Sequence, residues 1–436
     1  MWFMVMNWAL VKSRSNGAMK AVNSRRRALL CWFGLVLGLA LGGACVPQDL
    51  VVSPLGTVVV GPGEEIHIRS LEVLTGIGVR GIPRQRAAAL AVEDYGPIKG
   101  HRVTMGAGLD TLCTAEGGRA AAETVVGDRR VVGVIGTSCS VGAVEAAPIV
   151  SEAGLVMISA SNTAPSLTSD LRGNAGVHSY AGYYRTASND LHQGQAVAEF
   201  VYHGLGLRRM ATVDDGDPYT SGFTGAFAAA FEALGGAVVA AAQISRGDSD
   251  MTPVLSGIAA ESPEGLFFPV FPDEAASIAR QAAEAEGLET LVLIGPDSLL
   301  LAAPEVLGFY VVVPELHFSG NVNEATGKSG EEVVADYVAR YGEAPTSPSM
   351  VHAYDATTLL LRAIEAVAVA DGETLYISRA RLREALSSTR GFQGLIGEIS
   401  CDRFGDCGTG RAYIVRHTDA ADTDIRKLPV VYEYSP

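Results

Sequence analysis

Residues 134–143 read VIGTSCSVGA, an apolar run followed by small residues and two serines that flank Cys139. A serine between a strand and a helix can act as a nucleophile, although hydrolases prefer Gly where Ser138 stands. The same serine can cap the following helix, because its oxygen accepts a hydrogen bond from a free backbone N–H. It can also bind a ligand carboxylate together with the helix N-terminus. The local sequence leaves these three roles of Ser140 open.

A nucleophilic serine would need an acidic residue and a histidine downstream of it. Candidate histidines follow Ser140, but none has a distinctive sequence context: His178, His192, His203, His317 and His352. A secreted α/β hydrolase is therefore a less favoured alternative.

Short apolar runs alternate with Ala-rich amphipathic stretches from about residue 66 onward. Examples are the predicted strands HRVTMGAGL (101–109) and RVVGVIG (130–136) and the predicted helix VGAVEAAPIVSEAG (141–154). Such alternation predicts βαβ units and mostly parallel sheets. A second series starts near residue 190 without a long Pro-, Gly- or Ser-rich linker, so we expect two closely joined, doubly wound α/β lobes.

Ligands of open parallel sheets bind at the carboxyl ends of the strands, and six loops are expected there. They contain hydroxyl groups, glycines, aromatic residues and several aspartates: LTGIGVRG (74–81), GTSCS (136–140), SASNTAP (159–165), DDGDPYTSG (214–222), FPVFPDE (268–274) and IGPDSL (294–299). The phosphate-binding pattern G-x-x-x-x-G-K-[ST] does not occur in them. We expect no cofactor and no metal ion.

The residue types in these loops suit a zwitterionic ligand. Ser140 and the hydroxyl of Thr163, at the end of the next strand, could hold a carboxylate at a helix N-terminus. Asp297, in the second series, could supply a negative charge opposite them. Each charged end of a free α-amino acid would then meet an opposite charge, as burial requires.

The N-terminal part of the chain differs in charge from the rest. The chain has a net charge of −15, yet its first 45 residues contain six Lys or Arg and no Asp or Glu. The acidic remainder argues against nucleic-acid binding, which needs a basic surface. The basic segment precedes seventeen apolar or small residues, Ala28 to Ala44, fewer than the ~20 that span a bilayer. We expect residues 1–44 to be an export signal.

The signal ends in LGGAC, which resembles a bacterial lipobox with Cys45 as the lipidated first residue of the mature protein. It departs from that pattern because Leu41 lies one position too early. An ordinary cleaved signal and an uncleaved anchor are the alternatives. We expect an exported, lipid-anchored protein outside the cytoplasmic membrane, with residues 45–65 as its linker.

Four cysteines remain after Cys31 in the signal and Cys45 are set aside: Cys113, Cys139, Cys401 and Cys407. Export permits disulfides, and four cysteines allow three pairings. Proximity in sequence favours Cys113 with Cys139 and Cys401 with Cys407. A zinc site is disfavoured because no C-x-x-C pair is present.

The region from about 66 to 416 resembles the leucine/isoleucine/valine-binding proteins. These are type I periplasmic binding proteins, the solute-binding components of ABC importers for branched-chain and related amino acids. The matching segments are VIGTSCSVGA, AAPIVSEAGLVMISASNTAPSLT, YYRTASNDLHQG, GDPYTSG, IGPDSL and FQGLIGEISCDRFGDC. The last is the most specific, since it is similar to the closing motif F-x-G-x-x-G-x-I-x-F-D-x-x-G-D.

The resemblance implies two Rossmann-like lobes, joined by three hinge crossings, that close around a ligand like a flytrap. Lobe 1 would comprise residues 66–187 and 314–392, and lobe 2 residues 188–313 and 393–436. It also implies a disulfide between Cys113 and Cys139 in lobe 1. Cys401 and Cys407 would form a local link that rigidifies the third crossing.

The family's ligand-binding positions can be carried over to this sequence. The residues that they imply are Ser140 and Thr163 for the carboxylate, the main-chain carbonyl of Asn162 and the acidic Asp297 for the ammonium, and Tyr219 and Phe271 as aromatic gates. Two departures stand out. Asp297 replaces the usual glutamate, and Arg80 and Arg84 lie where the family contacts the ligand's side chain, so one of them could bind a second carboxylate or another polar group. The alternative for both arginines is a solvated surface.

We therefore expect a solute-binding protein of an ABC importer, not an enzyme. Its ligand would be a small amino acid of the branched-chain type or a related one, and its partner a membrane-embedded ABC permease. The protein is expected to be a monomer. A ligand sensor that reports to a membrane receptor is the alternative within the same fold, whereas adhesion or scaffolding gains no support from these loops.

Overall fold

The computed structural model describes residues 53–76, 81–314 and 320–436. The first lobe starts with a βαβ series that occupies residues 57–185. Its elements are β1 (Thr57–Val60), β2 (Ile66–Glu72), α1 (Gly81–Tyr95), β3 (Val103–Thr104), β4 (Leu109–Asp110), α2 (Ala115–Gly127), β5 (Val131–Gly136), α3 (Ser140–Glu152), β6 (Val156–Ser159) and β7 (Tyr183–Arg185).

Six of these strands form one parallel sheet in the order β3-β2-β5-β6-β7, with β4 also paired to β2. Every residue of β5 is buried, because helices cover both faces of the sheet. The strand order reverses direction between β2 and β5. In open α/β sheets such a reversal leaves a crevice at the carboxyl ends of the strands, here beside Glu72 and Gly136.

The second lobe follows from residue 190 as another βαβ series. Its elements are α4 (Asp190–Glu199), a π turn (Phe200–Gly204), β8 (Arg209–Asp214), α5 (Pro218–Ala233), β9 (Ala237–Gln243), α6 (Thr252–Ala260), β10 (Gly265–Phe267), α7 (Pro272–Ala282), β11 (Val292–Gly295), α8 (Leu299–Ala302) and β12 (Tyr310–Val313).

The chain then returns to the first lobe and finally to the second. The returning elements are α9 (Gly330–Tyr341), α10 (Met350–Val367), β13 (Val369–Asp371), β14 (Thr374–Ser378), α11 (Arg379–Ser387), β15 (Phe392–Gly394) and β16 (Gly397–Ile399), followed by β17 (Ala412–Arg416) and β18 (Val430–Tyr434). The second-lobe sheet has the order β18-β17-β12-β11-β10-β8-β9, antiparallel only at β17 and β18. Its order reverses between β8 and β10, which leaves a second crevice.

Helix α10 is the central helix of the first lobe. Its side chains are buried almost all round, and it packs against α1 and the sheet in one hydrophobic core. The second lobe has two apolar clusters, one on each face of its sheet. The chain passes between the lobes after β7, after β12 and before β17. The expected pair of doubly wound lobes with three crossings is therefore confirmed.

The expected boundaries of the lobes need two corrections. Strand β1 lies within the segment expected to be a linker, yet it pairs with β14 and buries Val58 and Val60. The β15–β16 hairpin, beyond residue 392, packs on the first lobe, where Asp355 accepts hydrogen bonds from the N–H groups of Leu395 and Ile396 at 2.8 and 2.9 Å. The first lobe thus extends to about residue 407.

The expected export signal and Cys45 lie outside the described residues. Within the described ranges, none of the helices combines the length and the apolar character that crossing a bilayer requires.

Candidate functional site

A cleft lies between the carboxyl ends of the two sheets. The first lobe contributes Val73, Arg84, Cys113, Ser138, Cys139, Ser140, Ser161, Thr163, Ser349 and His352, and the second lobe Gln193, Tyr219, Phe223, Phe271, Asp297 and Val312. Five of the six ligand-binding residues expected from the sequence therefore line one cavity. The sixth, Asn162, does not.

Ser140 is the first residue of α3 and lies buried at the bottom of the cleft. The N-cap position belongs to Cys139, which makes no side-chain cap hydrogen bond. The alternative role of Ser140 as an N-cap is therefore wrong. Because Cys139 provides no side-chain cap, the N–H groups and partial positive charge of the first turn of α3 are available to a ligand in the cleft.

Thr163 lines the cleft beside Ser140, and its buried Oγ1 atom has no hydrogen-bond partner among the described residues. Behind it lies Asp190, whose N–H donates to the Thr163 carbonyl at 3.0 Å. Burial raises the pKa of Asp190 to about 8, against the opposing effect of the positive charge of Arg185. The Asp190 carboxyl is thus protonated at neutral pH. The neutral Asp190 carboxyl therefore adds no negative charge next to Thr163.

Asn162 points away from the cleft, which corrects the role expected for it. Its side-chain Oδ1 accepts hydrogen bonds from Thr137 Oγ1 and from the Tyr183 hydroxyl, each at 3.2 Å. Its main-chain carbonyl accepts from Arg185 Nη1 at 3.3 Å. The buried guanidinium therefore occupies the carbonyl that was expected to meet a ligand ammonium.

The second-lobe wall includes the two aromatic residues expected from the sequence and a carboxylate. The rings of Tyr219 and Phe271 meet edge to face, with centroids 6.2 Å apart. Asp297 follows β11 and is half-buried in the cleft wall. The N-cap of α8 is Ser298, so Asp297 does not cap that helix.

Arg246, just beyond β9, was not predicted to take part in the site. Its guanidinium lies 3.8 Å from the centroid of the Phe271 ring and 3.1 Å from Asp217 Oδ2. Its Nη1 also donates to the Cys113 carbonyl of the opposite lobe at 3.0 Å. A strand carboxyl end precedes this arginine, and that is the signal by which the sequence could have indicated it.

Two disulfides stabilise the loops around the cleft. Cys113 pairs with Cys139, and Cys401 with Cys407, as proximity in sequence favoured. The first joins the loop before α2 to the N-cap of α3. The second closes a loop whose backbone bonds to both sides of Arg185, from Cys407 N–H to the Arg185 carbonyl at 3.0 Å and from Arg185 N–H to the Gly405 carbonyl at 2.9 Å.

Arg84 is not on a solvated surface. It is only 5% exposed, and its Nε lies 3.0 Å from Glu72 Oε2. Its Nη1 donates to Ser349 Oγ at 3.0 Å. Ser138 donates a further hydrogen bond to Glu72 and accepts one from Val73 N–H at 2.8 Å. Arg80 lies outside the described residues.

His352 shares the cleft with Ser140, but the pair does not form a catalytic arrangement. The Nδ1 atom of His352 lies 3.0 Å from the main-chain carbonyl of Thr186, not beside a carboxylate. No hydrogen bond joins a histidine to Ser140 among the described residues. The geometry of the cleft favours binding over nucleophilic catalysis.

A family model described as "Periplasmic binding protein" matches residues 72–422. An amino acid binding protein of Pseudomonas aeruginosa is 27% identical over 202 residues, which cover 46% of this chain and 52% of that protein. The chain thus spans about half the length of that relative. The Leu/Ile/Val-binding protein BraC3 of Rhizobium johnstonii is 26% identical over 78% of this chain and 89% of its own length.

The fold has close counterparts among solved structures. The leucine-binding protein LivK of Thermotoga maritima superposes with a TM-score of 0.71 at 24% identity, over 85% of this chain and 99% of that one. Two doubly wound lobes, three crossings and a cleft at the carboxyl ends of both sheets agree with these matches. The chain therefore belongs to the periplasmic binding protein family, and its resemblance to the leucine/isoleucine/valine-binding proteins is confirmed.

Proposed function

We propose that the protein is the solute-binding component of an ABC importer and that it binds an α-amino acid in the cleft between its lobes. The observation that carries this proposal is the uncapped N-terminus of α3, with Ser140 at its first position and the unpartnered Thr163 hydroxyl beside it. Hydroxyl donors and a helix N-terminus together favour a carboxylate.

The ligand's ammonium group would face the second lobe. Asp297 supplies a carboxylate on that wall, across the cleft from Ser140. A zwitterion with its charges at these two places has an opposite charge at each end, which offsets the cost of burying it. Tyr219 and Phe271 would then cover the ligand as the lobes close.

Closure is what links binding to transport in this proposal. A ligand can drive closure only through its greater affinity for the closed state, and contacts to both lobes provide that difference. The closed form presents the surface that a permease would recognise. Export, with attachment through a lipid on Cys45, would hold the protein on the outer side of the cytoplasmic membrane.

The proposal is tested by thermal unfolding of the region from Pro47 onward, refolded to remove any bound ligand. A panel of α-amino acids, amides and small organic acids is added at high concentration. A ligand at 100 times its Kd stabilises the folded state by about 2.7 kcal/mol. We expect one group of α-amino acids to raise the Tm.

Ser140→Ala should remove most of that Tm shift, whereas Ser256→Ala, an exposed serine on α6, should leave it unchanged. A shift produced by acids without an amino group, and insensitive to Asp297→Asn, would contradict the proposed position of the ammonium. A folded protein that responds to no α-amino acid would contradict the proposed ligand class.

A further inference from the structure

His352 lines the cleft, and its side chain contains a buried hydrogen-bond acceptor without a partner among the described residues. The residue is 2% exposed, and its Nδ1 lies 3.0 Å from the Thr186 carbonyl. A carbonyl oxygen only accepts hydrogen bonds, so Nδ1 carries the proton and Nε2 carries the lone pair. This Nε2 atom is buried and has no partner among the described residues.

The ring stays neutral at physiological pH. Burial lowers the pKa of His352 to about 4, and the nearby positive charge of Arg84 acts in the same direction. Nε2 therefore remains an acceptor in the pH range in which the protein would bind its ligand. When a side chain that lines a cavity contains a buried acceptor without a partner, a group of the bound molecule can supply that partner.

Hydrogen-bond donors line the same cleft as this acceptor. Ser349 precedes α10 and is three residues before His352, so the two side chains lie on the same side of the helix. The Ser349 hydroxyl bonds to Arg84 Nη1 at 3.0 Å and to Ser347 Oγ at 2.7 Å. Arg84, Ser349 and His352 all line the same cleft, and we refer to these three residues as the polar subsite.

The charge of the polar subsite is already balanced. Glu72 Oε2 lies 3.0 Å from Arg84 Nε, and both side chains are almost fully buried. A second ligand carboxylate would therefore meet a neutralised guanidinium and, at His352 Nε2, a repelling lone pair. An aliphatic side chain would leave Nε2 unpaired, which is unfavourable for a buried acceptor.

We propose that the polar subsite binds the side chain of the ligand and selects a neutral group that both accepts and donates hydrogen bonds, such as a carboxamide. The carboxamide oxygen would accept hydrogen bonds from Arg84 and Ser349, and the carboxamide N–H would donate one to His352 Nε2. This inference rests on the proposed function, and it replaces a branched aliphatic side chain by a polar one of the same size.

The test uses ligands of matched shape. Asparagine, aspartate and leucine share one branching pattern. Glutamine and glutamate share another, and methionine matches their chain length without the branch. Calorimetric titration of the refolded protein should give the carboxamide of at least one set an affinity on the order of tenfold to a hundredfold above that of its aliphatic and acidic counterparts.

Leucine binding as tightly as asparagine, together with methionine binding as tightly as glutamine, would overturn the subsite and leave the proposed function intact. If aspartate and glutamate were the tightest-binding ligands of their sets, the subsite would likewise be overturned and the proposed function would stand. The absence of binding by every α-amino acid would overturn both.

Variants locate the selectivity. His352→Leu should abolish the preference for the carboxamide, and His352→Gln, which retains an acceptor, should restore part of it. Ser349→Ala should lower carboxamide affinity severalfold without changing leucine affinity, and it keeps the test decisive if His352 variants fail to fold. His203→Leu, at an exposed histidine on the π turn, is the control. An unchanged carboxamide preference in a folded His352→Leu or in Ser349→Ala would contradict the assignment.

Discussion

Arg246 of the second lobe donates a hydrogen bond from Nη1 to the main-chain carbonyl of Cys113 in the first lobe, at 3.0 Å. The same guanidinium lies over the Phe271 ring and is paired with Asp217. One side chain therefore contacts an aromatic residue of the cleft wall and joins it to the disulfide loop on the opposite side of the cleft. This contact exists only while the two lobes are close together.

Removing this contact should weaken the closed state. We expect Arg246→Ala to increase the ligand dissociation rate about tenfold, since one hydrogen bond and one cation–π contact contribute on the order of 1 to 1.5 kcal/mol. Stopped-flow fluorescence measures that rate. Arg102→Ala, at an arginine whose side chain is 82% exposed, should leave it unchanged. Equal dissociation rates in the wild type and Arg246→Ala would show that the contact does not stabilise closure.

The protonated Asp190 predicts a specific dependence of stability on pH. Its pKa is about 8 in the folded state, compared with 3.8 for an ordinary aspartate. Above pH 4 the unfolded chain loses this proton, whereas the folded chain keeps it. Folding therefore becomes less favourable as the pH rises, by up to ~1.4 kcal/mol per pH unit from this group.

Asp190→Asn imitates the neutral acid and removes that dependence. Denaturant unfolding at pH 5 and pH 8 measures this effect. Between these two pH values, the free energy of unfolding of the variant should rise by roughly 3 kcal/mol relative to that of the wild type. Asp250 is exposed and its pKa is lowered by hydrogen bonds to Thr252, so the difference between Asp250→Asn and the wild type should stay constant. A constant difference for Asp190→Asn as well would mean that Asp190 is ionised in the folded protein.

The hinge depends on a buried ion pair between the first and third crossings. Arg185 is fully buried, contacts Asp406, and donates to the Ala164 carbonyl at 2.8 Å. Arg185→Met would leave the mostly buried Asp406 without its counter-charge, and such a loss costs about 3–5 kcal/mol of unfolding free energy. Denaturant unfolding measures this loss.

A second variant separates charge from packing at the hinge. Adding Asp406→Asn to Arg185→Met should recover part of the lost stability, because the uncompensated charge is then gone. Arg426→Met breaks a partly exposed pair with Asp424 and should cost about 1 kcal/mol or less. If Arg185→Met also lowered the free energy of unfolding by only about 1 kcal/mol, the pair of Arg185 with Asp406 would not stabilise the hinge.

The sequence predicted the fold and most of the cleft because both follow from local patterns. The run RVVGVIG corresponds to β5, which is buried throughout, and the loops at strand ends contain Ser140, Thr163, Tyr219, Phe271 and Asp297, as observed. The predicted strand HRVTMGAGL is reduced to the short β3 and β4. Gly106 interrupts it with a positive φ of 64°, a conformation incompatible with a regular strand.

The remainder of the site depends on contacts between segments far apart in the chain. Ser349 and His352 reach the cleft from the N-terminal end of α10, a returning helix whose sequence is that of a buried core helix. The pairing of Arg84 with Glu72 joins a helix to the end of a strand, and no sequence pattern relates the two residues. The inward orientation of Asn162 depends on Arg185, which lies in the first crossing. None of these relationships has a periodicity or motif of its own.

The central claim is that the cleft recognises a zwitterion, with the carboxylate at the N-terminus of α3. The most direct measurement is calorimetric titration with the α-amino acid that gives the largest Tm shift, compared with its α-carboxyl amide and its N-acetyl derivative. We predict that either modification lowers the affinity at least a hundredfold, and that Ser140→Ala weakens binding of the parent amino acid more than binding of the amide. An amide that binds as tightly as the parent amino acid would contradict the claim.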